Sequence, residues 1–341
     1  MKQFQDRLKW DISTKNISIL VLLAVIGVAC KNSLNVQAPY KDVTVVYGLL
    51  DQSDSTHYIR INKGFEGNGN AYVMAQQYDS IYYPVGTINA VLQDSSIITN
   101  TVVKTIALDT TTMVPLGPGT FSYPKQLLYY TSATLNPNDY YNLIITNTNT
   151  GKKTTGSTGL FSNVALSGLY SKTFYLSFSN LSPTIIGWTT SPNARIYQLT
   201  IRFFYDEVTN SNIKTGRSID WIFAPLTSPT LTGGALLQYS ITAQGLCSLI
   251  LNTIPYEEGV TRHVDSVGII FTSGSDDLNT YVQLSQPPMG INQDVPSYSD
   301  VKNAVGLYTA RHVQTAYKVL GGGLFDTLVV DPLYAKLNFQ Y

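Results

Sequence analysis

The chain has 341 residues, of which 13% are charged, and its 22 Lys and Arg balance its 22 Asp and Glu. With no net charge and no basic run it offers no phosphate footprint, which excludes polymeric nucleic acid as a partner. Polarity comes from Thr, Ser and Asn instead, and with 24 Tyr the composition favours strands, because β-branched and aromatic side chains suit a pleated, half-buried surface.

Residues 1–29 read as a signal peptide. Lys2, Arg7, Lys9 and Lys15 precede an uncharged apolar run from Ile17 that stops at Cys30. Spanning a bilayer takes about 20 apolar residues, whereas a run of about 10 to 14 suits the core of a secretory signal. Gly27-Val28-Ala29-Cys30 resembles a bacterial lipobox, in which the cysteine is diacylated, exposed by cleavage and acylated on its new amino group. Gly27 stands where that pattern prefers Leu, Val or Ile; an ordinary cleavable signal and a short buried helix are the alternatives. The expected lipidation site is therefore Cys30, and residues 30–40 form a polar tether. The expected address is the outer membrane, held by that lipid. Position 31 is Lys and not the Asp that commonly retains a lipoprotein in the inner membrane, and the absence of an acidic run after Cys30 leaves the leaflet open.

About 310 residues would remain, enough for two domains of about 150 each. From Lys41 the pattern is strand after strand. Val43 to Leu50 and Tyr58 to Asn62 alternate, as half-buried strands do. Asn70 is placed to cap a short helix over 71–77. Ile88, Ala90 and Leu92 resume the alternation, Gly117-Pro118-Gly119 marks a turn, and Asn149-Thr150-Gly151-Lys152 reads as a hairpin tip. Short strands at this spacing predict an immunoglobulin-like or transthyretin-like β-sandwich over 41–162. Gly156-Ser157-Thr158-Gly159 then shifts the composition, and a second β-sandwich is expected over 163–341. There Tyr197, Leu199, Ile201, Phe203 and Tyr205 share one strand face, Trp188 is a core anchor, and Val264 to Phe271 is a buried strand. Asp276-Asp277 open a short helix through Gln283, where the helix dipole favours acids. Gly321-Gly322-Gly323 is expected to be a flexible hairpin and the tail to supply a final strand. The fold class expected is all-β.

Few residues offer chemistry. His57, His263 and His312 are dispersed with no ligand spacing, so each reads as a solvated or core histidine. Glu257-Glu258 and Asp276-Asp277 are adjacent pairs, which a strand sends to opposite faces. They make poor acid–base partners. Of the two cysteines, Cys30 is taken by lipid, and Cys247 sits in an apolar setting that predicts a buried, inert thiol. No catalytic residue, metal site or cofactor is expected. The doublets Tyr82-Tyr83, Tyr129-Tyr130 and Tyr140-Tyr141 would each turn one ring outward in a strand, offering rigid contact area for a protein or glycan.

Larger motifs carry a resemblance. Asn193-Ala194-Arg195-Ile196-Tyr197, Arg202-Phe203-Phe204-Tyr205-Asp206-Glu207, Asp277-Leu278-Asn279-Thr280-Tyr281, Gln286-Pro287 and the stretch from Tyr298-Ser299-Asp300 to Thr309-Ala310-Arg311 are similar to an uncharacterised family of bacterial outer-membrane lipoproteins. Members are often encoded beside TonB-dependent transporters. Ala304 stands where that family usually has Gly. The resemblance implies a two-part β fold and a non-catalytic, membrane-anchored role binding a protein partner or ligand, as an accessory to such a transporter. The alternatives are a secreted hydrolase with an unrecognised site and a structural envelope component.

Overall fold

The computed structural model describes residues 42–65, 70–167, 175–178, 182–286 and 297–340. The signal peptide, Cys30 and the tether lie outside them. Within them the fold is mostly β, with several sheets, and no helix is long and apolar enough to cross a membrane.

The first half holds β1 (Thr44–Leu50), β2 (His57–Lys63), β3 (Ile88–Ser96), β4 (Val102–Ala107), β5 (Asp109–Thr111), β6 (Leu128–Thr131), β7 (Asp139–Asn147) and β8 (Lys153–Gly159). They form two layers, β1-β2-β6-β5 and β4-β3-β7-β8. Period-two alternation decides what lies between them: Val46, Leu50, Ile59 and Ile61 point in from one layer, and Ala90, Leu92, Leu143 and Ile145 from the other. At Leu108 the chain leaves the β3 pairing and enters the β6 pairing, so β4 and β5 join the two layers at one edge. The β2–β3 connection carries α1 (Ala71–Ala75) and α2 (Tyr78–Ile81). Asn70 caps α1 by accepting from the Tyr72 N–H at 2.9 Å, as its sequence position predicts.

The second half begins with β9 (Ala165–Ser167), β10 (Tyr175–Leu176), β11 (Thr184–Thr189), β12 (Ile196–Thr209), β13 (Lys214–Ile222), β14 (Leu226–Thr227) and β15 (Leu236–Ile241). After α3 (Ala243–Thr253) come β16 (Val260–Gly274), α4 (Asp276–Leu284), β17 (Ala304–Leu320), α5 (Gly322–Val330) and β18 (Phe339–Gln340). One layer is β13-β12-β16-β17 and another is β15-β11-β9. Every residue of the expected apolar face of β12, from Tyr197 to Tyr205, is buried. Trp188 anchors this core, with ring centroids 4.9 Å from Phe271 and 5.6 Å from Tyr239. The expected helix at Asp276 is α4, capped by Ser275, whose Oγ accepts from the Leu278 N–H. Cys247 is free and buried in α3.

Two expectations are corrected. The Gly321–Gly323 stretch opens α5 instead of a hairpin, and the strand in the tail is confined to Phe339–Gln340. Leu324 and Leu328, four residues apart, are both buried, and such a pair shares a helix face. The boundary expected near residue 162 falls in the connection between β8 and β9, and β17 pairs on both sides of it. Residues 304–310 of β17 run parallel to β1 over its whole length, while residues 311–318 pair antiparallel with β16. One strand is thus shared by both halves, and residues 42 onward form one compact unit. Short-range pattern marks where strands are, but the partner of β1 lies more than two hundred residues downstream.

Close approach seals that junction. The Tyr308 ring is fully buried between Gly48 and Gly156, where an added Cβ on either glycine would come within 2.9 Å of it. Just before β17, Lys302 exchanges backbone hydrogen bonds with Thr155 of β8. The edge between the two layers of the first half is therefore closed by residues from the last third of the chain.

Candidate functional site

The histidines separate once placed. His263 is half-buried on β16, opposite Asp206 of β12. His57 points into the first half; burial lowers its pKa, against the pull of Asp54, the Ala133 backbone and Asp51. His312 is buried on β17, where the strand passes from β1 to β16. Its Nδ1 lies 2.8 Å from Asp51 Oδ1 and its Nε2 2.5 Å from Asn163 Oδ1. Sequence distance hid this cluster, since the three residues lie on β17, the loop after β1, and the connection between β8 and β9.

Asp51 is built to stay ionised. Burial pushes its pKa up, but the hydrogen bonds from His312, the Ser53 N–H and the Ser53 hydroxyl hold it at about 2. The Ser53 donors lie at 3.0 and 2.7 Å, and the Val313 N–H reaches the other oxygen at 3.2 Å. A carboxylate with this many donors keeps its charge. The position a nucleophile would take beside Nε2 is filled by the Asn163 amide, with Gln52 Nε2 at 3.4 Å.

Asn163 itself is exposed, and it opens onto a cleft of about 840 Å³ between the two halves. Four segments line it: residues 96–98 with Val103, residues 136–139, residues 160–165 and residues 189–193. Asn193 adopts a left-handed conformation (φ 65°), which Asn tolerates better than most residues. Its side chain donates to Leu160 O at 3.2 Å and accepts from the Tyr140 hydroxyl at 3.3 Å. Gly159 permits this, since a Cβ there would lie 2.9 Å from both Asn193 and Tyr140. On the facing wall the Asn136 amide donates to Asp139 Oδ2 at 2.6 Å and its oxygen accepts from the Asn138 N–H. Ile97, Ile98 and Val103 form an aliphatic lip, with Ile98 94% exposed.

The lining decides what fits. Among the described residues that line it there is no Lys, Arg or His, and the one carboxylate is already paired with Asn136. These residues offer an anionic ligand no counter-charge. The side-chain amides and hydroxyls both donate and accept, which matches a peptide backbone. Among the described lining residues the one aromatic, Phe161, is buried and gives a sugar ring no platform.

The other sequence candidates do not join this cleft. Cys30 lies outside the described residues. Burial pushes the Cys247 thiol up to about 11. Glu257 and Glu258 are exposed in the loop before β16. Among the described residues no three His, Cys, Asp or Glu side chains are placed to share a metal ion. Tyr140 and Tyr141 alternate out and in as expected, and Tyr130 is half-exposed beside Tyr58, 6.1 Å away. Tyr82 and Tyr83 are both buried, because they follow α2 in a segment outside any strand. Sequence reasoning missed Asp51 and Asn163. The available signal was His312 itself, which shares the β17 face of Gly306, Tyr308 and Ala310 and so required a buried polar partner.

No protein-family model matches the chain, and neither does any curated protein. Among solved structures it is similar to the C-terminal globular domain of an oligosaccharyltransferase from Pyrococcus abyssi, at 7% identity over 83% of this chain and a TM-score of 0.20. The chain spans 51% of that structure. A likeness this weak has no bearing on fold or activity. The structure defines a mostly β protein whose described residues form an amide-lined cleft without basic side chains.

Proposed function

We propose that this chain is a non-catalytic, lipid-anchored binding protein of the outer membrane, whose two immunoglobulin-like or transthyretin-like halves share one strand. Its cleft takes a neutral, extended peptide segment of a membrane partner, in the first instance a TonB-dependent transporter. The cleft carries this reading: its uncharged amides and hydroxyls offer hydrogen bonds to a backbone, and its aliphatic lip offers contact to one apolar side chain. The apolar run ending at Cys30 and the resemblance to outer-membrane lipoproteins support the address. Confinement to one membrane raises effective concentration, so a modest intrinsic affinity suffices.

The test is site-specific photocrosslinking in native membranes. A photoreactive residue at Ile98, on the lip, should capture an outer-membrane protein. The same residue at Val85, 91% exposed and not among the cleft-lining residues, should not. A Cys30→Ser form should lose the capture by leaving the membrane. Equal capture from both positions moves the contact elsewhere, and capture from neither removes the accessory role.

A further inference from the structure

We propose that the end of the first half at which the chain enters β1 is a lipid-docking face, laid on a bilayer that contains anionic phospholipid, with the cleft turned away from it. This rests on the membrane address proposed above.

Hydrogen bonds gather the segments of that end. Asp42 accepts from the Tyr83 hydroxyl at 2.8 Å and from the Asn147 amide at 3.3 Å, and its carbonyl accepts from Lys152 Nζ at 2.5 Å. The Gly64 N–H donates to Val43 O, the Thr148 N–H to Thr87 O, and the Asn303 amide to Lys153 O. The ends of β2 and β7, the starts of β3 and β8 and the residues before β17 therefore meet beside residue 42. The β2–β3 connection, which leaves and returns here, carries α1, and a second loop is bound to that helix. Ser122 N–H donates to Ala75 O, and Gln76 Nε2 donates to Gly119 O and Thr120 O.

Two features of this end point to lipid. Its exposed side chains include Tyr72 and Val73 of α1, Phe121 and Tyr123 of the bound loop, and Val85 in the turn closed by the Thr87 N–H on Pro84 O. Tyrosine seats an apolar ring and a polar hydroxyl at the headgroup level of a bilayer, and apolar neighbours reach the acyl boundary. Around them the charge is one-sided, in a chain with no net charge. Among the described residues of these segments Lys63, Lys125, Lys152, Lys153 and Lys302 are set against Asp42 and Asp79. None of these lysines is in an ion pair among the described residues. The opposite end holds Asp51, Asp54, Asp94 and Asp139 with Lys104 and Arg311. Anionic headgroups attract the first end and repel the second.

Chain length agrees. Cys30 precedes Asp42 by 12 residues, and at about 3.5 Å per residue an acyl group there stays within about 40 Å of this end. From Asn147 at this end β7 runs to Asp139 in the cleft lining, about 27 Å at about 3.4 Å per residue. The cleft then stands clear of the headgroups and meets a segment that projects beyond them.

Two measurements test it. Full-length protein is reconstituted into vesicles of phosphatidylcholine with phosphatidylglycerol, carrying a fluorophore at Val85→Cys or at Ile98→Cys. Cys247 is buried and does not compete for the label. A nitroxide on the lipid headgroup should quench the label at Val85 and leave the label at Ile98 bright. Equal quenching at both, or none at Val85, overturns the face. The second measurement floats residues 42–341, one compact unit that lacks Cys30, with the same vesicles. They should bind, and Lys125→Glu combined with Lys153→Glu should weaken binding about tenfold, against less than about twofold for Lys104→Glu at the opposite end. No binding, equal binding to phosphatidylcholine alone, or equal loss from both variants overturns the proposal. If residues 42–341 bind as predicted and full-length protein holds the vesicles no better than its Cys30→Ser form, the lipid anchor fails and the docking face stands.

Discussion

Asp300 and Asp51 are both carboxylates bonded to β17, and their surroundings drive them in opposite directions. Burial, with the charge of Asp277 behind it, raises Asp300 to about 6 against the Tyr308 N–H that donates to it. Its second oxygen is buried without a partner among the described residues. An acid whose folded pKa is raised keeps its proton in the native state after the unfolded chain has lost it, so stability falls as pH rises from about 3.8 to about 6. Asn at this position keeps an oxygen for the Tyr308 N–H and cannot ionise. Asp300→Asn should therefore raise Tm at about pH 8 and leave it nearly unchanged at about pH 4. An equal shift at both pH values would show that packing, not ionisation, sets the effect. Asp51 is the reverse case: its lowered pKa favours the fold above about 3.8 and loses that contribution as pH falls towards about 2. Neither shift was legible in the sequence, because both depend on burial and on distant partners, Asp277 for Asp300 and His312 for Asp51, that folding brings in.

At the scale of elements, β17 carries the architecture, and Gly306 is its tightest point. The residue has φ +132°, and an added Cβ would lie 1.9 Å from Val46 O on the paired strand. Neither the conformation nor the space admits a side chain. Gly306→Ala should cost about 3 kcal/mol or more, through backbone strain and a disrupted β1 pairing. Denaturant unfolding measures it, and a loss below about 1 kcal/mol would mean that β1 and β17 separate without consequence. The strands themselves were largely legible, since β12 and β7 alternate with one face buried. The tail was not: Leu328-Val329-Val330 suits a strand locally, but the buried pair Leu324 and Leu328 makes a helix of it. Tertiary packing overrides propensity in this way wherever a short apolar run has two possible periods.

For the whole molecule, the shared strand makes the halves interdependent. A fragment of residues 42–162 lacks the partner for β1, the Tyr308 ring that fills the space between Gly48 and Gly156, and the Lys302 bridge to β8. Expressed alone, it should fail to show a cooperative thermal transition. Co-expressed with residues 163–341, it should co-purify and regain one. A sharp transition in the lone fragment would establish that the first half closes without β17. The same interdependence explains why the cleft was invisible in the sequence. Its walls come from four segments spread over 96–193, and the dyad behind it adds Asp51 and His312 from outside that range.

By itself the sequence determined the β class, the facing of individual strands, the Asn70 cap, the start of the helix at Asp276 and the lack of a basic run that argues against polymeric nucleic acid. These follow from local periodicity, side-chain size and composition, which act over a few residues and survive without a partner. Only the tertiary structure decided that β1 pairs with β17, that the two halves are one unit, and that Asn163, His312 and Asp51 meet at a cleft. Hydrogen bonds across strands and contacts across a junction are formed between residues far apart in the chain, and no periodicity records which distant edge will supply them.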